Sequence, residues 1–164
     1  MYRLTFRLVC VANTTPGTPV PDEPPQANLQ AMMPEHLTRF RVRYPEVDAQ
    51  GYVHHSRFFQ YFEIGRCELL RSLGHSYADL ERQGVLFVVV RAECRYRSPA
   101  RYDEELTLLT RVARQTAVRI DHAYELRRDG TLLAEGLTTI ACVDRAGELQ
   151  PIPDFLKGPE KRKA

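Results

Sequence analysis

Tryptophan is absent, and lysine stands only at Lys157, Lys161 and Lys163. The other basic side chains are arginines, which suit phosphate and carboxylate recognition and are equally a product of compositional bias. A formal net charge of +2 gives no support to a nucleic-acid binder. The four cysteines, Cys10, Cys67, Cys94 and Cys142, form no C-x-x-C pair and no zinc spacing. Cys94 and Cys142 fall in strand-like runs, where a free cysteine acts as a small core residue. That usage predicts a reducing, cytoplasmic setting. No apolar run is long enough for a membrane span, and Arg7 interrupts "MYRLTFRLVCVAN", so neither a signal peptide nor an integral membrane segment is predicted. A G-x-S-x-G elbow and a phosphate-cradling glycine loop are also missing. What remains is 164 residues, 43% hydrophobic and 27% charged. That is one globular domain plus a tail, able to bury a core without disulfides or metals.

Proline is concentrated where periodicity fails. Residues 14–36, "TTPGTPVPDEPPQANLQAMMPEH", read as a linker or disordered arm. Residues 1–37 are therefore predicted to be a flexible extension, 38–157 the folded domain and 158–164 a basic tail. The domain opens with "TRFRVRY", where Phe40, Val42 and Tyr44 alternate with arginines as in a half-buried strand. Pro45 and Gly51 break a loop over 45–54. From about Ser56 to Leu73, Phe58, Phe62, Gly65 and Leu69 make a helical stripe. Gly65 inside it costs about 1 kcal/mol relative to alanine, which a close helix–sheet contact would explain. Gly74 is a helix stop, and "SYADLERQG" a second short helix. Strands follow: "VLFVVV" (85–90), continuously apolar as if covered on both faces, running into "RAECRYR"; then "ELTLLTRV"; then "AVRIDHAYEL", with His122 packed on an apolar face; then "LLAEGLTTIACVD". Asp129-Gly130 marks a hairpin. One long helix against an antiparallel sheet is an α+β arrangement.

The segment "VDAQGYVHHSRFFQYFEIGR" (47–66) places Asp48, His54 and His55 just before the helix. An aspartate three residues before a glycine is ordinarily a turn residue that bonds its own backbone. The wider pattern Y-x-x-x-D-x-x-G-x-V-x-H followed by Y-F-E-x-x-R resembles the hotdog-fold acyl-CoA thioesterases, in the branch of 4-hydroxybenzoyl-CoA and Tol–Pal-associated thioesterases. Tyr44, Asp48, Gly51, Val53, His55, Phe58, Phe62, Glu63 and Arg66 carry it, joined by "YRSPARYDEELTL" (96–108) and "PIPDFL" (151–156). Arg57 and Gln50 depart from the family pattern.

The resemblance implies a hotdog fold, one long central helix wrapped by an antiparallel sheet. It implies hydrolysis of an acyl-CoA to a carboxylic acid and CoA without metal or cofactor, in a homodimer or tetramer. Asp48 would be nucleophile or general base. The His55 backbone N–H, at the positive end of the helix, would polarise the carbonyl. Glu63 is a second candidate acid, although Arg66 at i+3 suits a surface ion pair. Gly51, Tyr52, Val53, His54 and Phe58 would line the substrate site. Arg97 and Arg101, with Arg95, Arg162 and the C-terminal lysines, are candidate partners for CoA phosphates. Two rivals stand on the same fold: a non-hydrolytic acyl-CoA or acyl-carrier-protein binder, and a dehydratase using a histidine with a partnering acid. A metal held by Asp48, His54 and His55 is a minor reading, because adjacent histidines rarely face one ion.

Overall fold

The computed structural model describes residues 33–156. The expectations for residues 1–32 and for the basic C-terminal tail lie outside them. Five strands form one antiparallel sheet: β1 (Glu35–Arg41), β2 (Leu86–Tyr96), β3 (Glu105–Gln115), β4 (Arg119–Arg128) and β5 (Thr131–Val143), in spatial order β1-β3-β4-β5-β2. Two helices, α1 (Arg57–Ser72) and α2 (Tyr77–Arg82), stand between β1 and β2 in the chain. The α+β arrangement read from the sequence is therefore present.

α1 is held by its stripe. Phe58, Tyr61, Phe62, Gly65, Leu69 and Leu70 are buried, a 3–4 residue spacing that puts one face on the sheet. Phe62 is fully buried and stacks on Tyr124 of β4 at a ring separation of 4.5 Å. Burying a side chain of this size stabilises the fold by about 1.5–3 kcal/mol. A Cβ on Gly136 of β5 would lie 2.3 Å from that ring, so only glycine fits beneath it. Gly65 approaches the sheet in the same way: its Cβ would lie 2.3 Å from Thr110 Oγ1 and 2.7 Å from Leu108 Cδ2. The helix ends as Gly74 adopts φ +85°. His75 N–H then bonds Leu70 C=O (3.2 Å) and Gly74 N–H bonds Arg71 C=O (2.9 Å), the paired closure of a left-handed C-terminal cap. Asp129 and Gly130, both at positive φ, make the two-residue β4–β5 turn.

Three expectations are corrected. β1 begins at Glu35, inside the segment read as linker, because Pro34 C=O accepts Val112 N–H (3.0 Å) and Met33 packs on the core. Tyr44 does not continue the strand's buried face. The chain turns into a 3-10 helix over Tyr44–Glu46, with Pro45 inside it, and Tyr44 is 76% exposed. The apolar run 85–90 is not covered on both faces within the chain. β2 is an edge strand, and Val88, Val89 and Val90 are 42%, 49% and 52% exposed. No helix among the described residues is long and apolar enough to cross a membrane.

Candidate active site

Residues 47–53 form a small ribbon: Val47 bridges Val53, and Asp48 N–H donates to Tyr52 C=O (2.8 Å). Its tip is closed by Asp48, whose Oδ1 accepts Gln50 N–H (2.8 Å) and Tyr52 N–H (3.4 Å), with Gly51 at φ +78°. The turn role of Asp48 is thus real, and it occupies one oxygen. Oδ2 makes no hydrogen bond among the described residues. A half-buried carboxylate fixed through one oxygen presents the other as a base or nucleophile.

The ribbon is pinned to the segment 100–101. Val53 N–H bonds Ala100 C=O (2.9 Å), and Tyr52 bridges Arg101. The Arg101 guanidinium lies 4.4 Å from the centre of the Tyr52 ring and donates to its hydroxyl (2.9 Å). That side chain closes no salt bridge within 4 Å among the described residues; the carboxylate acting on it is that of Glu104, which accepts the Arg101 backbone N–H (2.8 Å) and pairs with Arg128. Arg97, by contrast, is committed to Glu135 through two bonds of 2.9 and 2.7 Å, which weakens its expected role as a phosphate ligand.

Next comes the start of α1. His54 N–H bonds Glu46 C=O (2.9 Å), and His54 Nδ1 meets Ser56 Oγ (2.8 Å). Ser56, the cap residue, therefore spends its hydroxyl on His54 and gives no side-chain cap to the helix. His55 N–H makes no hydrogen bond among the described residues. An open donor at the positive end of a helix is where developing negative charge is most stabilised. A cleft of about 270 Å³ opens there, lined by Val53, His55, Phe58, Tyr96, Arg97 and Ser98, with Pro99 at its edge. The imidazole of His55 meets the His54 ring at 4.1 Å and bonds no acid among the described residues.

Not every expected residue lines this cleft: Val53, His55, Phe58 and Arg97 do, whereas Asp48, Gly51 and Tyr52 belong to the adjoining ribbon. Glu63 lies almost two turns along α1, is largely exposed and pairs with Arg66 at 3.2 Å. His54 is exposed and works within its loop. Arg57, a departure from the family pattern, braces the site by donating to Pro45 C=O (3.3 Å). Gln50, the other departure, is exposed in the turn.

Two contributors carry no distinct sequence signal. Tyr96, at the end of β2, donates to His55 C=O (3.0 Å); burial, with Cys94 beside it, pushes its hydroxyl up to about 12. Glu46 is only 3% exposed inside a loop that reads as polar. Burial alone would raise its pKa, but hydrogen bonds from Arg43 and Tyr61 outweigh that and hold it below the usual carboxylate range. A larger hollow of about 600 Å³ on the sheet face away from α1 contains neither Asp48 nor His55, and its charges include the Arg111–Glu125 pair.

Comparison with known proteins converges on one family. A family model described as the thioesterase-like superfamily matches residues 42–159. The acyl-CoA thioesterase YbgC of Haemophilus influenzae is 34% identical over 113 residues, 68% of this chain and 82% of that protein. The putative acyl-CoA thioesterase YneP of Bacillus subtilis is 31% identical over 129 residues, 74% of this chain and 93% of that one. Among solved structures, a hypothetical protein from Aquifex aeolicus superposes with a TM-score of 0.71 at 32% identity, covering 74% of this chain and 99% of its own. A DHNA-CoA thioesterase from Staphylococcus aureus gives 0.67 at 29% identity, with 72% and 79% covered. With most of the chain matched and its helix and antiparallel sheet shared, the protein belongs to the thioesterase-like superfamily, on the hotdog fold.

Proposed function

We propose that the protein hydrolyses an acyl-CoA thioester to the free acid and CoA. The observation that carries this reading is a carboxylate with one unengaged oxygen, Asp48, seven residues before an uncapped helix start whose His55 N–H is unengaged. The thioester carbonyl lies in the cleft with its oxygen towards that N–H. Asp48 attacks the carbon or draws a proton from water that does. The oxygen gains charge in the transition state, so the donor contributes most there. As the tetrahedral intermediate collapses, the C–S bond breaks and CoA leaves as a thiolate that takes up a proton; on the nucleophilic route water then hydrolyses the acyl–Asp48 anhydride, releasing the acid and restoring the carboxylate. Phe58 and Val53 give the acyl group an apolar wall. Arg101, whose guanidinium hydrogen-bonds Tyr52 and no carboxylate, is better placed than Arg97 to meet a CoA phosphate. The relatives named as acyl-CoA thioesterases support the substrate class.

The dehydratase reading is weakened because His55 lacks an acidic partner among the described residues. A second copy of the chain is the natural cover for the exposed valines of β2, which leaves a homodimer as the proposed working unit.

The test is thiol release across short, long and aromatic acyl-CoAs, with Asp48→Asn and Glu63→Gln in parallel. Asp48→Asn is expected to cost about 10²–10⁴ in turnover with the fold retained, and Glu63→Gln far less. Binding of acyl-CoA without thiol release by the wild-type protein would make it a binder; near-normal turnover by folded Asp48→Asn would remove Asp48 from the chemistry.

A further inference from the structure

Glu46 joins three segments that are separate in the chain. Its Oε2 accepts Arg43 N–H (2.7 Å), two residues past the end of β1. Oε1 accepts Arg43 Nε–H (2.8 Å), and the same guanidinium closes the pair through Nη2 at 2.7 Å. Oε2 also accepts the hydroxyl of Tyr61, one turn into α1, at 2.9 Å. Its own backbone C=O holds His54 N–H at 2.9 Å. Desolvating a carboxylate this far costs several kcal/mol unless donors satisfy it, and here both oxygens are satisfied. A leucine stapling the loop would avoid that cost, so hydrophobic packing alone does not account for an acid at this position.

What the acid adds is a fixed geometry. Asp48 lies two residues after Glu46, and His55 lies one residue after the His54 amide that Glu46 holds. The two groups assigned to the reaction thus hang by short peptide tethers from one anchored residue. Tyr61 ties that anchor to the helix whose start the oxyanion would face. We infer that Glu46 is a positioning residue. It sets the Asp48 carboxylate against the His55 N–H without touching substrate. The inference rests on the hydrolase reading for its catalytic consequence and stands on hydrogen bonds for its structural one. A misplacement of about 1 Å between reacting groups can cost about a hundredfold in rate.

The experiment uses the full chain in five forms: wild type, Glu46→Gln, Tyr61→Phe, Asp48→Asn and Glu46→Gln combined with Asp48→Asn. Tyr61→Phe leaves the Arg43–Glu46 pair intact and severs only the tie to α1, so it reads the link should Glu46→Gln fold poorly. At a temperature where each form is fully folded, kcat should fall about 10–100-fold in Glu46→Gln and about 3–10-fold in Tyr61→Phe, with KM changed less than threefold. In the Asp48→Asn background, Glu46→Gln should cost less than twofold more, because there is no carboxylate left to position. Amide hydrogen exchange at His54 gives a readout independent of activity, and should quicken at least tenfold in Glu46→Gln and Tyr61→Phe. Unchanged His54 exchange in both variants overturns the anchoring role whether or not the protein releases thiol. Quickened exchange with kcat within twofold of wild type, or losses that multiply with Asp48→Asn, overturns the positioning role. A wild-type protein that releases no thiol from any acyl-CoA overturns the hydrolase reading and the positioning role with it, leaving only the anchoring role for exchange to decide.

Discussion

Replacing Gly65 by alanine sets two effects against each other. Alanine favours a helix interior over glycine by about 1 kcal/mol, so on propensity alone the variant is more stable. The structure opposes this. The new Cβ would stand 2.3 Å from Thr110 Oγ1 and 2.7 Å from Leu108 Cδ2, where ordinary contacts are 3.4–4 Å. Leu108 and Thr110 are both fully buried, so neither has open space to rotate into. The helix must lift by roughly 1 Å, placing the cost near the top of the overpacking range, about 3 kcal/mol. The net is a destabilisation of about 2 kcal/mol, or roughly 4–8 °C in Tm for a chain of this size. Differential scanning calorimetry and urea unfolding should agree on it. A combined Gly65→Ala, Thr110→Ala variant should recover most of the loss, because it removes the nearest atom and a hydroxyl that has no hydrogen-bond partner among the described residues. The remaining contact, Leu108 Cδ2, can then yield into the space the Thr110 side chain vacates. A Gly65→Ala protein that melts at or above the wild type would refute the close-approach argument.

The other expected outcomes concern the site, the core and the edge. His55→Ala keeps the backbone N–H and should lose little turnover, whereas His55→Pro removes it and should lose about 3 kcal/mol of transition-state stabilisation, a hundredfold or more; equal severe losses in both would make the imidazole the working group. Burial first, and the Arg66 charge second, depress His122 to about 4, against about 6.5 when unfolded, with Asp121 opposing. The unfolded chain therefore binds the extra proton below pH 6.5, and stability should fall by about 2 kcal/mol between pH 7.5 and 5; His122→Met should flatten that slope in denaturant titrations, and an unchanged slope would exclude His122 as its source. Val89→Arg on the exposed edge should shift the protein towards monomer in light scattering; an assembly that survives unchanged would place the subunit contact elsewhere.

The sequence exposed most where one residue type had one physical use. Asp129-Gly130, Gly74 and Gly65 were readable because a two-residue turn, a helix stop and a close helix–sheet approach each leave glycine or aspartate as the natural choice. The apolar stripe of α1 was readable for the same reason. The run at 85–90 misled because a strand shielded by the rest of its own chain and a strand awaiting another chain have the same apolar composition. Strand order was not readable at all, since β1 pairs with β3 across two helices and β2. In the site, Asp48 and His55 stood out only through the motif around them. Glu46 did not, because burial of one acid in a polar loop is decided by Tyr61, fifteen residues away.

The glycine under Phe62 has a consequence for how the sheet finds its pairing. Inside–outside alternation forbids a slip of one residue between β4 and β5, but it tolerates a slip of two, which keeps every side chain on its own face. Such a slip would bring Ala134 or Thr138 opposite Tyr124 in place of Gly136. Either side chain would occupy the space that the Phe62 ring now fills. The ring and the glycine thus act as a key and its notch, rejecting the two-residue slip in either direction that hydrophobic patterning leaves open.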